Sequence, residues 1–105
     1  MVWYWKGEEP MLGSEKGEIS IHEARLYKTF VLSPETWFSN REAAKLAEIS
    51  ERTARMHTLR LVKLGILDLA EVYPGHRFRL SKMADKRNKS YMQRLDNVCE
   101  IFGMK

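Results

Sequence analysis

Three serines each open a segment in which apolar residues return every three or four positions, the period of an amphipathic helix. In the first, Ser20 and Glu23 have capping-box spacing, Ile19 can staple onto Ala24, and Ala24, Tyr27, Phe30 and Val31 form the apolar face. Ser33-Pro34 ends it, because the residue before a proline disfavours the helical region. In the second, Ser39 pairs with Glu42, Phe38 points toward Ala43, and Ala43, Ala44, Leu46 and Ala47 are small enough for a close helix neighbour. A tight turn at Glu48-Ile49 leads to Ser50, which caps a third helix ending at Gly65, a left-handed stop. Ala54, Thr58, Leu61, Val62 and Leu64 take its inner side, with His57 at the boundary. Arg52, Arg55, Met56, Leu59, Arg60 and Lys63 fall mostly on the opposite side, and Leu59 suits either the surface or a rotated core.

The period then changes from helical to alternating. Ile66, Leu67 and Leu69 begin a strand, Tyr73-Pro74-Gly75-His76 is turn chemistry, and Phe78 and Leu80 alternate with Arg77 and Arg79. This predicts a β-hairpin with one apolar and one basic face. A last helix is expected from about Met83 to Phe102, basic at first (Lys82, Lys86, Arg87, Lys89) and apolar later. Residues 1–17 read as an arm: Gly7, Pro10, Gly13 and Gly17 break any helix, while Val2, Trp3, Tyr4 and Trp5 are apolar enough to dock on the body or a second subunit. The expected fold class is α+β and mostly helical. Its units are the arm (1–17), a three-helix and hairpin domain (18–81) and a C-terminal helix (82–105).

Composition narrows the function. A chain of 105 residues with one cysteine, Cys99, forms one domain without an internal disulfide. No apolar run is long enough to span a membrane and the start lacks a secretion signal, so a soluble cytoplasmic protein is expected. The net charge of +4 is unevenly spread. Residues 1–50 hold six Lys/Arg against eight Asp/Glu, whereas 51–105 hold twelve against six, which suits one face presented to a polyanion. His22, His57, His76 and Cys99 are scattered without metal-site spacing, so neither metal nor cofactor is expected. No nucleophile–base pair, glycine-rich phosphate loop or acidic metal cluster can be assembled, so no enzyme is expected.

Helix, helix, turn, helix and basic hairpin is the element order of a winged helix-turn-helix, and residues 39–81 resemble that superfamily. SNREAAKLAEIS looks like its second helix and turn, and TARMHTLRLVKLGIL like its recognition helix running into the wing. The spacing of Thr53, His57, Leu61 and Gly65 is similar to that in MarR-like and ArsR-like bacterial regulators and in phage and plasmid DNA-binding proteins. One departure is Glu48, at a turn position often held by glycine. A left-handed non-glycine residue costs roughly 1 kcal/mol, so a more open turn is expected.

The resemblance implies double-stranded DNA as partner. Ser39 and Arg41 match positions that touch phosphates, and Ser50, Arg52 and Thr53 open the recognition helix. Arg55, Met56 and Arg60 match positions facing base edges or backbone, Lys63 continues that surface, and His76, Arg77 and Arg79 lie on the wing. A transcriptional repressor acting by occupancy is the first reading. A winged-helix module binding protein, or a replication or segregation accessory factor of a mobile element, is the alternative. Tyr91, Leu95, Val98 and Phe102 follow an i, i+4, i+7, i+11 pattern that predicts a homodimer seam, or else a helix folded back over Tyr27 and Phe30.

Overall fold

The computed structural model describes residues 19–72 and 75–103. The expected N-terminal arm, with its Trp3-Tyr4-Trp5 cluster, and Tyr73-Pro74 of the hairpin turn lie outside the described residues.

Helix α1 spans Ile21–Leu32, α2 Asn40–Ala47 and α3 Glu51–Lys63, each opened by its serine in extended conformation. At α2 both capping-box bonds form: Glu42 N donates to Ser39 Oγ at 3.1 Å, and Ser39 N to Glu42 Oε1 at 3.0 Å. Ser50 Oγ accepts from Thr53 N at 3.0 Å. Ser20 does cap α1, but through His22 N, and Glu23 does not close the box. Its side chain turns inward and is buried. The α2–α3 turn is not opened by its missing glycine: Glu48 itself takes the left-handed conformation, φ 61° and ψ 45°.

Gly65, at φ 84°, redirects the chain after α3. A Cβ there would also sit 3.0 Å from Arg87 Cβ, so the position demands glycine twice over. Strands β1 (Leu67–Glu71) and β2 (His76–Leu80) then pair antiparallel, with Leu69 opposite Phe78. Phe38 adds a bridge on the far side of β2, exchanging two 2.8 Å backbone bonds with Phe78. The linker before α2 is thereby welded to the wing.

The single C-terminal helix expected from the sequence is instead two, α4 (Ala84–Arg87) and α5 (Lys89–Ile101). The break falls at Asn88, whose Nδ2 donates to Leu64 O at 3.2 Å while its Oδ1 accepts from Tyr91 N. Asn88 thus satisfies an orphan carbonyl at the end of α3 and caps α5 at the same time.

The core gathers Leu26, Tyr27 and Phe30 of α1, Leu61 of α3, Ile66, Leu67 and Phe78 of the hairpin, and Leu95 of α5. Phe30 and Phe38 meet edge to face at 5.5 Å. Here the seam expectation is corrected. Leu95 is fully buried and Tyr91 and Cys99 nearly so, because α5 folds back on α1 and Tyr27 Oη donates to Asp96 Oδ1 at 2.7 Å. Tyr91 and Leu95 are spent within the chain, Val98 is half-buried against the core, and Phe102 alone of the four is exposed. No helix among the described residues is long and apolar enough to cross a membrane.

Candidate nucleic-acid interface

The exposed face of α3 is set by what its other face buries. Ala54, His57, Thr58 and Leu61 turn inward. Arg52, Arg55, Met56, Leu59 and Lys63 fall opposite, within an arc of roughly 100° at 3.6 residues per turn. Leu59 is 45% exposed, which places it on the surface, and Met56 is more exposed still. The resulting stripe alternates cations with apolar tips.

Three elements meet beside this stripe. The start of α2 (Ser39, Asn40, Arg41), the first turns of α3 (Glu51, Arg55) and the wing (Glu71, Val72, Gly75, His76, Arg77) line one open cleft of about 630 Å³. The bridge between Phe38 and Phe78 explains the convergence, since it ties the N-cap of α2 to the strand carrying Arg77. Asn40, which the sequence pattern does not single out, holds the cleft together: Thr58 Oγ1 donates to Asn40 Oδ1 at 2.7 Å, linking α2 to the buried side of α3.

The cleft is not purely basic. Glu51 lies 3.3 Å from Arg55 Nη2, with side chains 47% and 58% exposed. An exposed helical pair of this kind is worth about 0.3–0.5 kcal/mol, so Arg55 can leave it for a phosphate or a base edge at little cost. Ser50 Oγ donates to Thr53 Oγ1 at 2.9 Å, which organises the first turn of α3. Arg77 Nη1 donates to His76 O at 3.2 Å, folding back over the wing tip beside exposed His76.

Two expected contact residues sit elsewhere. Arg79 stacks over Trp37 at 4.4 Å and pairs with Asp68 at 3.8 Å, an acid that also meets Arg87 at 3.6 Å. Its guanidinium is committed to the sheet face, not held out from it. Arg60 lies at the margin of the α3 arc and turns back, with Nε 3.3 Å from Glu23 Oε1. Glu23 also meets His57 Nδ1 at 3.2 Å and accepts from Tyr91 Oη at 2.7 Å. Burial first, and then the hydrogen bond to the Glu23 carboxylate, push the Tyr91 hydroxyl up to about 12 against an opposing effect of the Arg60 cation. No sequence signal marks this cluster, since an acid three residues past a serine reads as a cap. Among the described residues no group of three or more His, Cys, Asp or Glu could hold a metal ion.

These features define a winged helix-turn-helix: three helices, a two-stranded wing, and a C-terminal helical extension. Solved structures with a similar fold include proteins described as transcriptional regulators. A possible transcriptional regulator from Methanosarcina mazei Go1 aligns with TM-score 0.57 at 12% identity over 81% of this chain and 71% of its own. BpsR of Bordetella bronchiseptica, whose DNA binding is regulated by 6-hydroxynicotinic acid, gives 0.59 at 11% identity over 80% and 60%. The PcaV transcriptional regulator from Streptomyces coelicolor gives 0.58 at 16% over 81% and 61%. The chain therefore spans about three fifths of the length of the latter two. No family model and no curated protein matches the sequence.

Proposed function

We propose that this protein is a sequence-specific double-stranded DNA-binding regulator of transcription that acts in the cytoplasm as a repressor by occupancy. Helix α3 enters the major groove and the hairpin contacts the flanking backbone. The observation that carries this reading is the convergence of α2's start, the first turns of α3 with Arg55 of its outer stripe, and the wing tip on one cleft. A major groove about 12 Å wide accepts a helix, and Arg52 to Lys63 span roughly 16 Å along α3. Arg52 and Arg55 thus reach base edges while Lys63 meets the far phosphates. Met56 and Leu59 offer apolar contact to thymine methyl groups. Ser39, Arg41, Ser50, Thr53, His76 and Arg77 fix the register on phosphates.

One recognition helix reads few base pairs, and two copies on a palindrome read twice as many. Pairing uses what α5 leaves exposed, Ile101 and Phe102 at its end with Leu32 at the end of α1, in place of the buried seam.

Selection of bound fragments from random-sequence DNA, followed by fluorescence anisotropy on the best site, tests the reading. With Arg41, Lys63 and Arg77 each neutralising a phosphate and releasing its counterion, log affinity against log salt should slope by about −3 per subunit. A slope near zero would overturn DNA binding. Light scattering that finds only monomer at tens of micromolar would end the dimer.

A further inference from the structure

Among the described residues Glu23 is the most deeply buried charged group. It is 2% exposed, and its partners come from two other helices: His57 and Arg60 of α3 on Oε1, and Tyr91 of α5 on Oε2. We propose that Glu23 is a positioning residue for DNA recognition, one that fixes the rotation of α3 about its own axis and transmits the seat of α5 to it. The proposal rests on the DNA-binding reading above.

The remainder of α3's inner face cannot set that rotation alone. Ala54 and Leu61 are small or aliphatic, and their packing is non-directional. Directional bonds flank them on both sides. Thr58 reaches Asn40 of α2 on one flank, and His57 with Arg60, three residues apart, grip a single carboxylate oxygen on the other. Rotating a helix of overall radius about 5–6 Å by 20° moves its outer side chains by about 2 Å. That is several times the width, about 0.5 Å, of the 2.7–3.2 Å window within which a base-edge hydrogen bond forms. Backbone phosphate contacts, being largely electrostatic, tolerate such a shift. Loss of the Glu23 clamp should therefore erase discrimination between sequences before it erases affinity. Arg60 belongs to the clamp, which is why its guanidinium turns away from the stripe.

The test is Glu23→Gln, nearly isosteric but uncharged, assayed beside wild type on the selected site and on scrambled DNA. The specific-to-nonspecific ratio should fall about tenfold or more, within the range such ratios span. Nonspecific affinity should hold or rise, and its salt slope should steepen by up to about one unit as Arg60 is released to phosphate. A folded Glu23→Gln protein whose ratio stays within about twofold of wild type overturns the proposal. Tyr91→Phe, which removes a single oxygen, carries the same test should Glu23→Gln fail to fold. In DNA-free Tyr91→Phe, amide exchange should quicken along α3 relative to α1, and unchanged exchange there also overturns it. Quickened α3 exchange in a protein that never distinguishes sequences would sink the DNA-recognition reading while leaving Glu23 as the clamp of α3.

Discussion

Arg55 and Arg60 stand five residues apart on one helix, and their alanine variants should fail in opposite ways. Among the described residues the Arg55 side chain pairs with half-exposed Glu51 alone, so Arg55→Ala should change stability by no more than about 0.5 kcal/mol. If it reads a guanine edge, the same change should cost about 1–3 kcal/mol of affinity on the preferred site and relax preference at one base position. Arg60→Ala instead strips a cation from buried Glu23. Breaking a fully buried pair costs about 3–5 kcal/mol. Arg60 is 43% exposed, and His57 and Tyr91 still hold the carboxylate, which brings the figure down to about 1–2 kcal/mol. At about 4–8 °C per kcal/mol for a domain of this size, Arg60→Ala should melt about 5–15 °C lower and Arg55→Ala within a few degrees of wild type. Thermal melts by circular dichroism and anisotropy titrations on the same preparations separate the two. The assignment of roles is refuted if Arg60→Ala melts like wild type and loses discrimination at one base, or if Arg55→Ala leaves binding untouched.

Glu48→Gly relieves a left-handed residue and should raise stability by up to about 1 kcal/mol in chemical denaturation, whereas Glu48→Val should lower it. Leu95→Ala empties a fully buried site against α1 and should cost about 2–5 kcal/mol at any protein concentration. Concentration-dependent loss would instead place Leu95 between subunits. The Tyr91 hydroxyl, ordinarily near 10 and raised to about 12, keeps its proton longer when folded than when unfolded. Its contribution is complete below pH 10 and fades as the pH climbs toward 12, so melting points from pH 9 to 12 should fall more steeply in wild type than in Tyr91→Phe.

Local signals were legible where chain neighbours decide the structure. Caps at Ser39 and Ser50, the stop at Gly65 and the alternation around Phe78 each depend on residues within four positions, and each formed where the sequence puts it. The side chains misplaced in the sequence reading have partners far along the chain. Glu23 trades a cap bond three residues away for His57 and Tyr91, 34 and 68 positions on. Arg79 alternates correctly but is captured by Trp37 and Asp68. Asn88 sits in a helical pattern and breaks it to reach Leu64. The apolar seam of α5 is real in period, yet period alone does not say whether a second chain or α1 covers it.

The three misplacements share a direction. Each draws a group that could have faced solvent or a partner into a contact between the winged-helix body and α4–α5, or between the wing and the linker before α2. Glu23–Tyr91 and Asn88–Leu64 fasten the start of α5 to α1 and to the end of α3, and Arg87–Asp68 fastens α4 to β1. The C-terminal helices consequently brace the recognition helix from its buried side, while its outer stripe of Arg52, Arg55, Met56, Leu59 and Lys63 stays exposed among the described residues. A surface rich in cations and apolar tips, held rigid from behind and left open in front, loses little entropy on docking. That is the physical requirement for a small helix to discriminate base sequence with few contacts.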